Sequence, residues 1–361
     1  MFCNARFGVF WYLAAALFAA AGGGFVAVLL GSPLPWMLGA MVAAFVFALV
    51  VSPPPVCNKS RPVLPPVLRR LALVVIGVYL GGQFANFGDV QPLLKTLPVS
   101  IFAVLVYSAV CTFAVYGFLR RRLKLDAATA YCSSLPGGLS PVIGLAGEHN
   151  ADTGVVALLQ SIRVAMVLFI TPFAARALSM GAGADDFVFG LPPAGLISAG
   201  GVLPALVIAA AAMLIGAKLG GVGGSMLPAL LLSSAASYGG WMTGALPPLP
   251  LAAALVMLGT YAGMSLANLR RTAAAKTAVA AFAAGAFMMA LAAFCAPPLW
   301  HLAGLPPAHS LLALAPGGIG EMALTALEIG APPHWVLLHH FARISVLLLL
   351  SPLILRALKK P

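Results

Sequence analysis

The sequence predicts an all-α polytopic membrane protein. It is built as two inverted-topology repeats of about five transmembrane helices, each with a re-entrant helix broken at Pro-Gly-Gly. Three observations predict this. Apolar residues make up 62% of the 361-residue chain and charged residues only 8%, against roughly half and about 25% in soluble domains. No Asp, Glu, Lys or Arg occurs from Phe7 to Asn58, from Phe187 to Ala217 or from Leu219 to Leu269, and uncharged apolar runs of about 18 residues or more mark helices that cross a bilayer. Finally, one interrupted apolar segment occurs twice at a fixed spacing.

The N-terminal stretch superficially resembles a signal peptide, with Arg6 before an apolar run from Phe10. The run continues to Leu30, long enough to be the first span. Apolar runs bounded by charge or by Pro/Gly clusters place spans at 7–30, 35–51, 68–87, 97–119 and 153–176 in the first half. In the second half they fall at 196–217, 226–246, 251–268, 277–297 and 333–356. The segments 126–148 and 306–329 are also apolar but are interrupted by Pro136-Gly137-Gly138 and Pro316-Gly317-Gly318. Proline lacks an N–H and glycine is a poor helix former, so a helix breaks there.

Pro136 to Leu178 aligns without gaps on Pro316 to Leu358, and 14 of the 43 pairs are identical. A second match sets Gly77-Val-Tyr79-Leu-Gly81 against Gly259-Thr-Tyr261-Ala-Gly263. The chain is therefore read as a first membrane repeat over 1–180 and a second over 181–361, forming one integrated transmembrane domain. If each Pro-Gly-Gly segment returns to its own side, each half crosses five times and the second half is inverted. With the N-terminus inside, 16 of the 20 Lys/Arg then lie in the cytoplasm, as the positive-inside rule prefers. Both termini are cytoplasmic in this reading. The net charge of +12 then reports topology, not a nucleic-acid footprint. The five cysteines form no CxxC pair, so neither a disulfide framework nor a metal site is expected.

A chain broken inside a bilayer leaves backbone groups that only protein or a water-lined cavity satisfies. The helix that restarts after each break aims its positive N-terminus at it, which suits an anion. Arg163 and Arg343 each stand eleventh in their spans, roughly 16 Å deep and near the midplane of a ~30 Å core. A charge at that depth costs about 2.5–3.5 kcal/mol even on the lenient insertion scale. Each arginine is expected either to serve a shared ligand site or to cap the carbonyls of a neighbouring broken helix. Gln160 lies three residues before Arg163; His340 and His339 lie three and four before Arg343, spacings that share a helix face. Glu321 is the acid expected deep in the bilayer, paired with an imidazole for proton coupling or with Arg343 in an ion pair. The first half has Pro141 where Glu321 aligns, and Leu159 and Gln160 where His339 and His340 align, so protonation chemistry belongs to the second half. The glycines around Tyr79 and Tyr261 are read as close-packing sites.

Leu34-Pro-Trp-Met-Leu-Gly-Ala-Met41, Pro136-Gly-Gly-Leu-Ser140 with Glu148-His-Asn-Ala-Asp152, and Leu158-Leu-Gln-Ser-Ile-Arg163 together resemble the AbrB family of bacterial membrane proteins. The most specific stretch is Ala315-Pro-Gly-Gly-Ile-Gly-Glu-Met322 followed by His339-His-Phe-Ala-Arg343. The resemblance implies a multipass inner-membrane protein made of two copies of one repeat. Family labels include regulation of gene expression (the aidB regulator) and a putative ammonia monooxygenase. Pro141 departs from the acidic residue usual after the first Pro-Gly-Gly-Leu-Ser, so the halves are not expected to bind identically.

The expected function is transporter-like: a small, anionic solute moved by alternating access, with proton coupling in the second half. The bundle carrying the broken segments and the Arg-bearing spans is expected to move against spans such as 7–51 and 196–246. The alternative is a membrane sensor or regulator acting indirectly on gene expression. Direct nucleic-acid binding is not expected, because the longest hydrophilic loops are about 15 residues. A membrane oxidase needs a His/carboxylate metal cluster, and His301, His309 and His334 show no ligand-like spacing. No enzymatic activity and no cofactor are expected. The partners are the bilayer and the solute, with a homodimer left open.

Overall fold

Because the bilayer replaces water as solvent, packing is expected to be inverted relative to a soluble protein, with apolar side chains outside and polar ones within. The computed structural model follows that rule. It describes residues 2–53, 62–82, 91–137, 139–179, 199–219, 224–242, 247–272, 275–304 and 306–358; Gly138 lies outside the described residues. Phe18 is 84% exposed while Arg343 is 0% exposed.

The described residues fold as helices without strands. In chain order they are α1 (Phe2–Leu29), α2 (Pro35–Val50), α3 (Pro66–Gly82), α4 (Gln91–Leu123), α5 (Ala127–Ser134), α6 (Leu139–Glu148) and α7 (Thr153–Leu178). They continue as α8 (Ala199–Leu219), α9 (Met226–Tyr238), α10 (Pro248–Thr272), α11 (Ala275–Ala303), α12 (Pro307–Leu314), α13 (Ile319–Glu328) and α14 (Pro333–Leu358). Seven of them are long and apolar enough to cross a membrane: α1, α4, α7, α8, α10, α11 and α14. The chain is an all-α polytopic membrane protein. The span expected at 226–246 is shorter as a helix, ending at Tyr238 because Gly239 and Gly240 turn the chain, the latter at φ +71°.

Residues 126–148 and 306–329 each form two short helices separated at the Pro-Gly-Gly motif. The lengths match in pairs offset by 180 positions: 8 residues in α5 and α12, 10 in α6 and α13, 26 in α7 and α14. The turns after α6 and α13 match as well. Ala151 donates to the Ala146 carbonyl at 2.9 Å and Ala331 to Ala326 at 2.8 Å. Between them Asn150 (φ 56°) and Gly330 (φ 70°) take the left-handed conformation, one by an amide side chain that tolerates it, the other by lacking a Cβ.

The helices group into two compact units, each drawing on both halves of the chain. The first contains α1–α3 and α8–α10. Within it α2 packs on α1 and α10, and α3 on α9. Gly77 and Gly81 lie against the α9 backbone at Met226 and Leu230, while Gly259 and Gly263 lie against the α2 backbone at Met37 and Met41. A Cβ at any of the four would collide with those carbonyls, so the paired glycines set how closely the helices approach. Arg69 stacks over the Tyr261 ring, 5.1 Å from its centroid.

The second unit contains α4–α7 and α11–α14. Its core gathers Tyr131, Leu135, Val142 and Val156 from the first half with Leu347 and Leu355 from the second. Tyr107 of α4 donates to the Met288 carbonyl of α11 at 2.8 Å. Tyr131 of α5 shares a 3.2 Å hydrogen bond with Ser351 of α14. Both broken helices and both Arg-bearing helices are in this unit.

Candidate arginine-capped helix breaks

Ending a helix inside the bilayer orphans its last carbonyls, and in this fold the arginines supply the missing donors. At the first break Arg163 Nη1 donates to the Leu135 carbonyl at 2.6 Å, and Nη2 to the Gly137 carbonyl at 3.1 Å. It thus bridges the two sides of Pro136. Nη2 also donates to Gln160 Oε1 at 2.5 Å. Gln160 Nε2 in turn donates to the carbonyls of Cys132 (2.8 Å) and Leu135 (3.1 Å). At the second break Arg343 Nη1 donates to the carbonyls of Leu314 and Ala315, both at 3.0 Å, and Nη2 to His340 Nδ1 at 3.1 Å. His340 Nε2 donates to the Leu312 carbonyl at 2.9 Å.

The capping expectation for both arginines is therefore met. No carboxylate bonds to either guanidinium among the described residues. The carbonyls at the C-termini of α5 and α12, each the negative end of a helix dipole, offset the charge. Three of the five N–H donors of each arginine are used in these bonds, and Nε has no partner in either. The two guanidiniums lie within electrostatic reach of one another, with Tyr107 and Cys111 of α4 nearby. Pro136, Gly137, Pro316 and Gly317 are buried and Gly318 is half-buried.

Glu321 occupies the first turn of α13 and is half-buried. A Cβ on Gly318 would strike its carboxylate, so the acid lies against the N-cap of its own helix, where a negative charge is favoured. It is not among the hydrogen-bond partners of Arg343, His339 or His340; the direct pairings expected from sequence are not formed. His339 turns elsewhere. Its Nδ1 bonds the Trp335 carbonyl at 2.8 Å and its Nε2 meets Ser100 Oγ of α4 at 2.9 Å.

Sequence reasoning missed Ser100, because a lone serine in an apolar helix is ordinary. Its weak signal is a polar row on α4 with Ser108 and Thr112, all buried. It also missed how the outer ends are fixed. Asp126 caps α5, accepting from the Thr129 amide at 2.9 Å. Partial burial pushes its carboxyl upward, but the hydroxyl and amide of Thr129 outweigh that and hold it below the ordinary carboxylate range. Asp152 caps α7, and its own amide donates to Thr129 Oγ1 at 2.8 Å.

The profile of the family described as transition state regulatory protein AbrB matches residues 4–118 and 36–359. The uncharacterized protein YhjN of Bacillus subtilis (strain 168) is 27% identical over 360 residues, covering 95% of this chain and 91% of the relative. The putative regulator AbrB of Escherichia coli (strain K12) is 33% identical over 119 residues, covering 32% of this chain and 33% of the relative. With a match that runs nearly end to end and a fold of paired, broken membrane helices, the chain belongs to the AbrB family.

Proposed function

We propose that this protein is a transporter-like protein of the bacterial inner membrane that moves a small anionic solute by alternating access. Both termini face the cytoplasm, and the second half carries the proton coupling. One observation carries the reading: two helices broken inside the membrane, each held by a buried arginine, belong to a single compact unit. Broken helices at matched positions of repeated halves are the build of many secondary transporters, where half-helix ends and freed backbone groups meet the solute. Each arginine spends two donors on the carbonyls of its break and a third on Gln160 or His340, and a guanidinium so bonded keeps its charge. A negatively charged group on the solute is favoured by that charge and by the restarting helix N-termini. The two repeats, 1–180 and 181–361, supply one break apiece, with Glu321 present in only one of them.

The test is uptake of small carboxylates into proteoliposomes. Arg343→Ala and Glu321→Gln are expected to abolish uptake while the protein still inserts; Arg163→Ala is expected to weaken solute affinity. Arg343→Lys keeps the charge but loses the two-carbonyl fork and is expected to fall between wild type and Arg343→Ala. If none of these substitutions alters any flux, the reading of a membrane regulator acting indirectly on gene expression replaces it.

A further inference from the structure

The two adjacent histidines of α14 do opposite things, and their hydrogen bonds separate them. A carbonyl oxygen accepts and never donates, so a ring nitrogen facing one must carry hydrogen. His340 Nε2 faces the Leu312 carbonyl, so Nε2 is protonated; Nδ1 accepts from Arg343 Nη2. A second proton, on Nδ1, would set N–H against N–H and release Arg343 from its partner. The first half supports this. Gln160 aligns with His340, donates to Cys132, which aligns with Leu312, and accepts from Arg163, which aligns with Arg343. A side-chain amide that never titrates does the same work there. His340 is an anchor that stays neutral.

His339 has no such counterpart; Leu159 takes its place in the first half. Its Nδ1 faces the Trp335 carbonyl and must be protonated, which leaves Nε2 to the Ser100 hydroxyl. That hydroxyl also lies 3.0 Å from the Thr96 carbonyl and 3.1 Å from that of Leu97. With His339 neutral, Ser100 O–H donates to Nε2. When a proton from water adds to Nε2, the new N–H donates to Ser100 Oγ, and the hydroxyl hydrogen swings to the Thr96 or Leu97 carbonyl. Both protonation states are fully hydrogen-bonded, with no heavy atom displaced. We propose that His339 and Ser100 form the proton-binding site of the unit that holds the broken helices. This rests on the transport reading above and names the group that carries its proton.

Arg343 stands one turn along α14 from His339, close enough for two positive charges to repel. Of the helices packed against α14, α13 carries Glu321 and Glu328, α6 Glu148, α12 His309, α5 Tyr131 and Cys132, and α4 Lys95, Tyr107, Cys111, Tyr116 and, in its last turn, Arg120, Arg121 and Arg122. None of these side chains bonds to His339. The imidazole is 0% exposed, so it exchanges its proton only when the unit opens to water. A proton bound on opening and opposed by Arg343 on closing is what coupling to a transport cycle requires.

The experiment is nitrogen NMR on histidine-labelled protein in vesicles of phosphatidylethanolamine and phosphatidylglycerol. His339→Leu, which copies the first half, and His340→Gln, which copies Gln160, assign the signals. As pH falls from about 8 to about 4, His339 should change reversibly from the Nδ1–H form to the doubly protonated form, while His340 stays Nε2–H. A second proton on His340 first, or a His339 that stays neutral while circular dichroism shows intact helices, overturns the proposal. Uptake of small carboxylates under an imposed pH gradient gives the other arm. His339→Leu should lose the response to the gradient and His340→Gln should keep it; the reverse pattern overturns the assignment. If no protein shows flux but His339 titrates, the proton site stands and the transport reading alone fails.

Discussion

A guanidinium in a bilayer without a carboxylate partner has to be neutralised by dipoles, and the two helix breaks supply them. Each terminal nitrogen meets carbonyls that have lost their own helical donors, so one contact satisfies two buried groups that would each cost several kcal/mol alone. The outer ends of the broken helices use the opposite sign. Asp126 places a carboxylate on the N-terminus of α5, and its hydrogen bonds hold that acid below its ordinary range. A carboxyl depressed in the folded state contributes stability above its unfolded pKa of about 3.9 and loses it as pH falls through the folded value. Asp126→Ala is therefore expected to lower stability by about 1 kcal/mol near neutral pH. Thermal unfolding in detergent should show the gap to wild type closing below about pH 3. A gap unchanged down to that pH would mean that the carboxylate is not the cap.

At the scale of helices, packing is decided where backbones touch. Gly77 and Gly81 let α3 approach α9, and Gly259 and Gly263 let α10 approach α2, so each half's glycine helix packs on a helix of the other half. Gly77→Leu and Gly259→Leu should each cost about 1–3 kcal/mol by overpacking, read as earlier thermal unfolding. Gly22→Leu is the control, since a Cβ there meets open space. The long helices were legible in the sequence because charge and Pro/Gly clusters bound every apolar run, and the breaks because Pro-Gly-Gly cannot continue a helix. The sequence already set spans 7–51 and 196–246 apart from the broken segments; that α3 and α10 join them was not legible, since small residues recur throughout the chain and their partners lie far along it. The Arg163–Gln160 and Arg343–His340 pairs followed from helical spacing. Their other partners did not, because a backbone carbonyl carries no residue identity. Glu321 showed the limit of spacing: its neighbour proved to be its own helix N-terminus.

The path of the whole chain through the bilayer turns on whether each broken segment crosses or returns. Contacts run in parallel register at both breaks. Along α7, Gln160 meets Cys132 and Arg163 meets Leu135; along α14, His340 meets Leu312 and Arg343 meets Leu314. In each pair higher numbers meet higher numbers, so α5 runs parallel to α7 and α12 parallel to α14. The hydrogen bond from the Asp152 amide to Thr129 sets the starts of α5 and α7 at one level. The intervening α6, of 10 residues and about 15 Å, links the break back to that level, which favours a segment that returns to its own side. In the proposed topology each half crosses five times, an odd number, and the second half is inverted. Inversion keeps 16 of the 20 Lys/Arg in the cytoplasm, with Lys95 and Arg176 outside and Arg163 and Arg343 within the bilayer. Full crossing by both broken segments would leave 13 inside and strand Arg270, Arg271 and Lys276 outside, against the positive-inside bias. Single cysteines decide between these. A cysteine replacing Lys276 should react with an impermeant thiol reagent only from the cytoplasmic face. One replacing Asp185, in the 180–198 connection outside the described residues, should react only from the outer face. Labelling of both from the same face would sink the inverted arrangement, and with it the symmetric approach of the two arginines that the transport reading uses.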